Sequence, residues 1–199
     1  MGFHPNPSRP ASFANRLRMA RNFGGLTLHG YSDETELGYQ GLMKVFLAYT
    51  ALEKLGKVLV EPVNRKAIGP HVLRDRCVNY DQTTITDCWK TNDPTGEFVK
   101  YVAKHCEHPN LKVKVSGLLE AERPNLAILS HGIRNLFAHG HLTPSANSCC
   151  PKRIAKICDG VSEFVINVLD EEFYKVIHAY CDQSGIDYET LATSRKRRS

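Results

Sequence analysis

No stretch of this 199-residue sequence approaches the run of about eighteen apolar residues that a membrane-spanning helix needs. The N-terminal segment carries arginines but lacks the apolar core that defines a secretory signal. Tryptophan occurs only once, and no segment of the chain repeats another. These absences argue against a membrane-spanning or secreted class, and we expect a cytoplasmic protein.

Length and composition predict one globular domain with a sizeable core. The chain is 42% hydrophobic and 24% charged, which is ordinary for soluble proteins. We divide it into a Pro/Arg-rich N-terminal arm over residues 1–35, a helical domain over residues 36–181 and a basic C-terminal tail over residues 182–199.

The net charge of +5 is unevenly distributed along the chain. Eight basic residues lie near the two ends; without them, 18 basic residues face all 21 acidic ones, a net charge of −3. The eight are Arg9, Arg16, Arg18, Arg21, Arg195, Lys196, Arg197 and Arg198. Such ends are most often solvated and disordered. Their functional interpretation is contact with a phosphate backbone.

Seven cysteines are scattered along the sequence without a CxxC pair, which favours free thiols in a reducing compartment. The single tryptophan, Trp89, lies in a Thr-, Asp-, Asn-, Pro- and Gly-containing segment over residues 81–96. We interpret that segment as a connection with a short helical turn. Trp89 is then expected to anchor it to the core rather than to stack on a base.

Apolar residues recur at helical spacing over most of the chain, which predicts an all-α bundle of about five helices. The predicted helices cover residues 36–60, 64–80, 97–106, 124–139 and 151–180, with a shorter one over 12–21. The last is the longest and is expected to form the spine of the bundle and a dimer face. Residues 111–119 alternate like a strand, but a lone strand makes no sheet, so a helix or extended loop is favoured.

The chemistry-bearing residues concentrate at the end of one predicted helix. Arg134, Asn135, His139 and His141 lie close together there, and Gly140 marks the point where the helix stops. Histidine exchanges protons near neutral pH, and arginine presents a permanently charged fork to phosphate oxygens. With no nearby cluster of carboxylates for magnesium, this combination suits metal-independent cleavage of RNA through its 2′-hydroxyl group. DNA, which lacks that group, would not be a substrate.

The geometry of a regular helix constrains this pair. Arg134 and His139 project about 140° apart at 100° per residue, whereas Asn135 and His139 share a face. The two catalytic candidates can therefore meet only if the helix end deforms at Gly140 or a second copy of the chain supplies one of them.

The pattern Arg134-Asn135-x3-His139-Gly140 resembles the signature of the HEPN family of small helical ribonucleases. The resemblance implies that Arg134 and His139 form the catalytic pair, that Asn135 helps to position them, and that neither a metal nor another cofactor is needed. It implies a homodimer acting on RNA in a toxin–antitoxin, phage-defence or RNA-processing role. An antitoxin or regulatory protein is then an expected partner.

One toxin branch of that family carries a tyrosine two positions after the histidine, where its antitoxin modifies it. This sequence has His141 there. Regulation by that route is therefore not expected, and His141 could itself serve as a second proton-transfer group.

Glu53, near the apolar edge of the first long helix, has two interpretations. The ordinary one is a surface carboxylate, and the functional one is a partner that orients Arg134. The catalytic candidates also have structural interpretations. Arg134 could pair with Glu120 or Glu122, and His139 could act as a helix C-terminal cation. The alternative function is a catalytically silent HEPN-like module that binds RNA, a nucleotide or a protein.

A zinc site is a further alternative. His139-x-His141 and Cys149-Cys150 offer ligand types that zinc prefers, although their spacing matches no common zinc motif. That hypothesis predicts zinc in the purified protein, whereas the ribonuclease hypothesis predicts none.

Overall fold

The computed structural model describes residues 1–3, 8–61, 63–64, 66–146 and 149–185. Within these ranges the chain forms eight α-helices and one two-stranded antiparallel sheet. The elements are β1 (Gly2–Phe3), α1 (Ser8–Arg21), α2 (Asp33–Val58), β2 (Leu59–Val60), α3 (Pro70–Arg76), α4 (Thr83–Asn92), α5 (Glu97–His105), α6 (Pro109–Ser116), α7 (Leu126–Ala138) and α8 (Pro151–Ser184). Short 3-10 turns follow α3 and α6. The predicted all-α class with a long final helix is confirmed.

Helix α2 lies at the centre of the bundle and packs against α1, α3, α7 and α8. It begins where Ser32 accepts a hydrogen bond from the Thr35 N–H (3.3 Å), and acidic residues in its first turn complement the positive end of the helix dipole. Buried Leu42, Leu52 and Leu55 recur along it at helical spacing. A helix buried on so much of its circumference organises the whole domain.

The α2–α8 contact is close because a glycine faces it. A Cβ atom at Gly41 would lie 2.9 Å from the Ala155 Cα, nearer than non-bonded carbons approach. The backbones of the two longest helices therefore approach each other closely at this point. Helix α8 continues to Ser184, and Gly185, with φ of +62°, ends it in the left-handed conformation.

The N-terminal arm contributes to the core. Helix α1 begins at Ser8, four residues before the expected start, and Phe13 and Leu17 are buried. Strand β1 pairs with β2, with Phe3 opposite Leu59. The basic tail, with Arg195 and its neighbours, lies outside the described residues.

Two segments with weak helical patterns are helices in the structure. In α4 Trp89 is 2% exposed, so its predicted role as an anchor to the core is confirmed. The expected connection thus contains a ten-residue helix rather than one short turn. In α6 Leu111 and Val115 are buried while Val113 is 72% exposed, which is helical spacing rather than strand alternation.

Helix α7, which carries the motif, begins after Pro124 rather than at it. Asn125 is the N-cap: its side chain accepts from the Ala127 N–H (3.1 Å) and donates to the Arg74 carbonyl (2.9 Å). The Leu126 N–H donates to Gln82 Oε1 (2.8 Å). Because all of these groups are buried, the start of α7 is fixed relative to α3 and α4.

Among the described residues, no helix combines the length and apolar character needed to cross a membrane. All seven cysteines are free, and Cys77, Cys106, Cys158 and Cys181 are buried, as predicted for reduced core thiols. Cys88 and Cys149 are half-buried and Cys150 is exposed.

Candidate active site

The motif lies at the C-terminal end of α7, where the chain forms a Schellman motif. The Gly140 N–H donates to the Phe137 carbonyl (3.1 Å) and the His141 N–H to the Leu136 carbonyl (2.9 Å). Gly140 has φ of +72°, a conformation that glycine adopts without steric cost. The predicted end of the helix at Gly140 is therefore confirmed. His139, the last residue before the turn, is exposed to solvent.

Arg134 forms an ion pair with Glu53 of α2. Arg134 Nη2 lies 3.0 Å from Glu53 Oε2, and the two side chains are 27% and 28% exposed. Of the two interpretations of Glu53, the structure thus places it against Arg134 rather than free in solvent. Arg134 is not paired with Glu120 or Glu122, which were the expected partners under a purely structural role.

The ion pair leaves much of the Arg134 guanidinium without a partner. Only Nη2 donates to Glu53; Nε is buried without an acceptor, and Nη1 has none among the described residues. A buried donor without an acceptor costs about 1–3 kcal/mol. Glu53 therefore does not saturate the fork. Nε is closed to an external anion because it is buried, which leaves the Nη1 side of the guanidinium for an anion to bind.

Arg134 and His139 do not share one face of α7. The helix is regular through Ala138, and His139 itself keeps a backbone hydrogen bond to the Asn135 carbonyl (3.2 Å). The side chains consequently leave the helix about 140° apart. Arg134 and His139 could meet in two ways. The helix is not deformed before Gly140, so the way that remains is for a second copy of the chain to supply one of the two residues.

Asn135 is half-buried and lies on the same face of α7 as the half-buried His131 and the exposed His139. Its side chain makes no hydrogen bond within the described part of the chain. It is thus a polar group beside the motif with unused donors and acceptors.

Sequence reasoning missed a buried polar group beside Arg134, formed by Tyr49, Arg74 and His131. His131 stacks on Tyr49 with ring centroids 4.8 Å apart and an interplanar angle of 7°. Arg74 Nη1 lies 3.0 Å from His131 Nδ1, and Arg74 also pairs with Asp75 (2.8 Å). The signal was available in part, because His131 precedes Arg134 by one turn of helix.

The electrostatics of this group keep His131 neutral. Burial lowers the pKa of His131 to about 4, and the nearby guanidinium groups of Arg74 and Arg134 act in the same direction. Because Arg74 can only donate, His131 Nδ1 accepts and the ring proton is on Nε2. Burial likewise raises the pKa of Tyr49 above its usual value. A neutral aromatic pair therefore lies beside Arg134 and adds no positive charge.

His141 lies beyond the turn and faces a different neighbourhood. Its ring centroid is 6.4 Å from that of His139, with the rings inclined by 30°. Its Nε2 lies 3.8 Å from Glu107 Oε1, and the Tyr101 hydroxyl donates to its carbonyl oxygen (3.0 Å). The end of α7 thus presents two exposed imidazoles side by side.

The alternative zinc ligands are not assembled. Among the described residues, which include His139, His141, Cys149 and Cys150, no group of three or more His, Cys, Asp or Glu side chains is placed to hold a metal ion. The zinc hypothesis therefore has no geometric support.

A polar cavity of about 580 Å³ lies elsewhere, beside α4 and the segment before α7. Its walls include Asp87, Lys90, Glu122 and Arg123, but neither Arg134 nor His139. This cavity is therefore separate from the motif, in which Arg134 is half-buried and His139 is exposed.

Comparison of this chain with protein-family models, with curated proteins and with solved structures found no match.

Proposed function

We propose that this protein is a metal-independent endoribonuclease of the HEPN type, acting in the cytoplasm. The observation that carries the proposal is the state of Arg134, whose guanidinium is held by Glu53 through Nη2 while Nη1 has no acceptor among the described residues. A phosphate group is the ligand whose geometry best uses such a fork. The exposed His139, later on the same helix, supplies the proton-transfer group.

The reaction follows from these two side chains. His139 takes the proton of a ribose 2′-hydroxyl, and the resulting oxyanion attacks the adjacent phosphorus. Arg134 stabilises the negative charge that develops on the phosphate oxygens. The bond to the 5′-oxygen then breaks and that oxygen takes up a proton, which leaves a 2′,3′-cyclic phosphate and a 5′-hydroxyl. This reaction requires the ribose 2′-hydroxyl, so RNA is a substrate and DNA is not.

A second copy of the chain completes the site in this proposal. Arg134 and His139 leave α7 about 140° apart, so one copy cannot direct both at the same phosphate. A two-fold axis beside the end of α7 would bring Arg134 of one copy toward His139 of the other. A toxin–antitoxin, phage-defence or RNA-processing role, with an antitoxin or regulatory protein as partner, belongs to the same proposal through the HEPN resemblance.

A second candidate function rests on the same ion pair. If Glu53 neutralises Arg134 permanently, the motif is a structural contact between α2 and α7. The protein would then be a catalytically silent HEPN-like module that binds RNA, a nucleotide or a protein. In that case the wild-type protein would not cleave RNA, and the substitution of Arg134 would change only the stability of the fold.

The test is cleavage of a labelled, mixed-sequence RNA in EDTA by the wild-type protein, Arg134→Ala and His139→Ala. We expect the wild type to cut and both variants to be slower by about 10²–10⁴-fold, the usual contribution of a positioned proton-transfer group or anion stabiliser. A DNA copy of the same sequence should remain intact.

Matched controls are Arg123→Ala and His29→Ala, which remove an exposed arginine and an exposed histidine elsewhere. Both should cut at the wild-type rate, and thermal unfolding should show that all four variants are folded. No cleavage by the wild type, or equal cleavage by every variant, would contradict the catalytic assignment and favour the silent module.

A further inference from the structure

The backbone that carries the second imidazole at the end of α7 is held in place, although the ring is exposed. His141 is 54% exposed at its side chain, yet its backbone N–H donates to the Leu136 carbonyl and its own carbonyl accepts from the Tyr101 hydroxyl. Contacts on both sides of the residue therefore hold the backbone from which the ring projects.

The charged and titratable neighbours of His141 are few. Glu107, in the turn after α5, lies 3.8 Å from Nε2, and His139 lies across the 6.4 Å gap between the ring centroids. Tyr101 contacts the backbone, and its ring packs against that of His105 (4.3 Å between centroids). Glu107 is thus the one carboxylate within ion-pairing range of the His141 ring among the described residues.

The RNA reaction needs a proton donor as well as a base. When the 5′-oxygen leaves the phosphorus it carries the bonding electron pair, and an alkoxide leaves poorly unless it is protonated. His139 can act as the base but cannot donate a proton in the same step. Arg134 cannot serve either, because its guanidinium stays protonated throughout. His131 is half-buried and is neutral near pH 7, with Nδ1 bound to Arg74.

We propose that His141 is the general acid of the reaction, with Glu107 as the carboxylate that orients its ring. The assignment rests on the proposed ribonuclease function. His139 accepts the 2′-hydroxyl proton as the new P–O bond forms, and His141 gives its proton to the 5′-oxygen as the old P–O bond breaks. One proton is taken and one is given, so the step is balanced. Hydrolysis of the cyclic phosphate in the reverse sense restores both rings.

The experiment compares two RNAs that differ in one atom. In the second RNA, sulfur replaces the bridging 5′-oxygen at the mapped cleavage site, and a thiolate, with a pKa of about 8.5, leaves without a proton. His141→Gln should cut the ordinary RNA about 10²–10⁴-fold more slowly than the wild type. On the sulfur-containing RNA it should cut within about tenfold of the wild type, because no acid is needed there.

His139→Gln provides the contrast, since the loss of the base should slow both RNAs alike. Glu107→Gln should cleave the ordinary RNA at a rate between those of the wild type and His141→Gln. His108→Gln, a change of an exposed histidine after Glu107, should match the wild type on both.

Three outcomes would overturn the assignment. If the wild type cuts and His141→Gln cuts equally well, the inference fails while the ribonuclease stands. If His141→Gln is slow on both RNAs although folded, His141 acts on binding or positioning rather than as the acid. If the wild type cuts neither RNA, the proposed function fails, and the role of His141 with it.

Discussion

The two halves of the candidate site are held by different kinds of structure. Arg134 lies between α2 and α7, paired with Glu53 and next to the stacked rings of Tyr49 and His131. His139 sits at an exposed helix end, where backbone hydrogen bonds of the Gly140 turn fix it. The position of Arg134 therefore depends on tertiary packing, whereas that of His139 depends on a local turn. A change in the core should move the arginine and spare the histidine.

The largest effect on RNA cleavage is expected when one chain of a dimer supplies Arg134 and the other supplies His139. We expect an equimolar mixture of Arg134→Ala and His139→Ala to cut RNA about 10²-fold faster than either variant alone, because a mixed dimer retains one intact arginine and one intact histidine. The rate should be measured after the two proteins have been unfolded and refolded together. A mixture no faster than its components would show that a site shared between copies is wrong.

A smaller effect should appear in stability and should concern only the arginine half. The pKa of His131 is about 4 in the folded chain and about 6.5 when unfolded, so both states are neutral above pH 6.5. As the pH falls from 6.5 toward 4, the unfolded chain binds a proton that the folded chain does not, and stability is lost.

This loss should amount to about 2 kcal/mol between pH 7 and pH 4.5, after a discount for the partial exposure of the ring. Urea unfolding at the two pH values measures it. His131→Asn retains an acceptor near Arg74 without titrating, so its stability should depend less on pH by that amount. Identical pH dependence in the two proteins would contradict the neutral state of His131 in the fold.

The smallest effect concerns the ion pair itself. Because Glu53 and Arg134 are both partly exposed, Glu53→Gln should lower the free energy of unfolding by about 1 kcal/mol or less. It should nevertheless lower kcat/KM on RNA by about tenfold, since Arg134 loses the carboxylate that orients it.

Asp159→Asn is the control for that comparison. It removes the exposed Lys44–Asp159 pair between α2 and α8, at 2.7 Å, and should leave RNA cleavage unchanged. If Glu53→Gln instead cuts faster than the wild type, Glu53 restrains the arginine rather than orienting it, and its assigned role is wrong.

The long helices could be predicted because burial repeats along them. In α2 and α8 the buried positions recur every three or four residues, and such a stripe needs no knowledge of the partner helix. Helix α4 could not be predicted in the same way. Its sequence is rich in threonine, which favours helices weakly, and burial of Thr86 and Trp89 stabilises it in the fold.

In the candidate site, too, some features follow from the local sequence and others depend on how the helices pack. The end of α7 at Gly140 and the angle between Arg134 and His139 follow from the sequence, because helix periodicity and the turn preference of glycine are local properties. The group around Arg134 does not follow from it. Which residues of α2 and α3 face α7 depends on how the helices pack, and no periodicity within one helix specifies its register against another.

By itself, then, the sequence determined an all-α chain, a long final helix and an arginine and a histidine near one helix end. The tertiary structure alone decided that Glu53 meets Arg134, that Arg74 binds His131, and that Glu107 and Tyr101 contact His141. The physical reason is the range of the interactions. Spacing along a helix fixes directions within a few residues, whereas pairing between charges distant in sequence depends on the packing of the whole core.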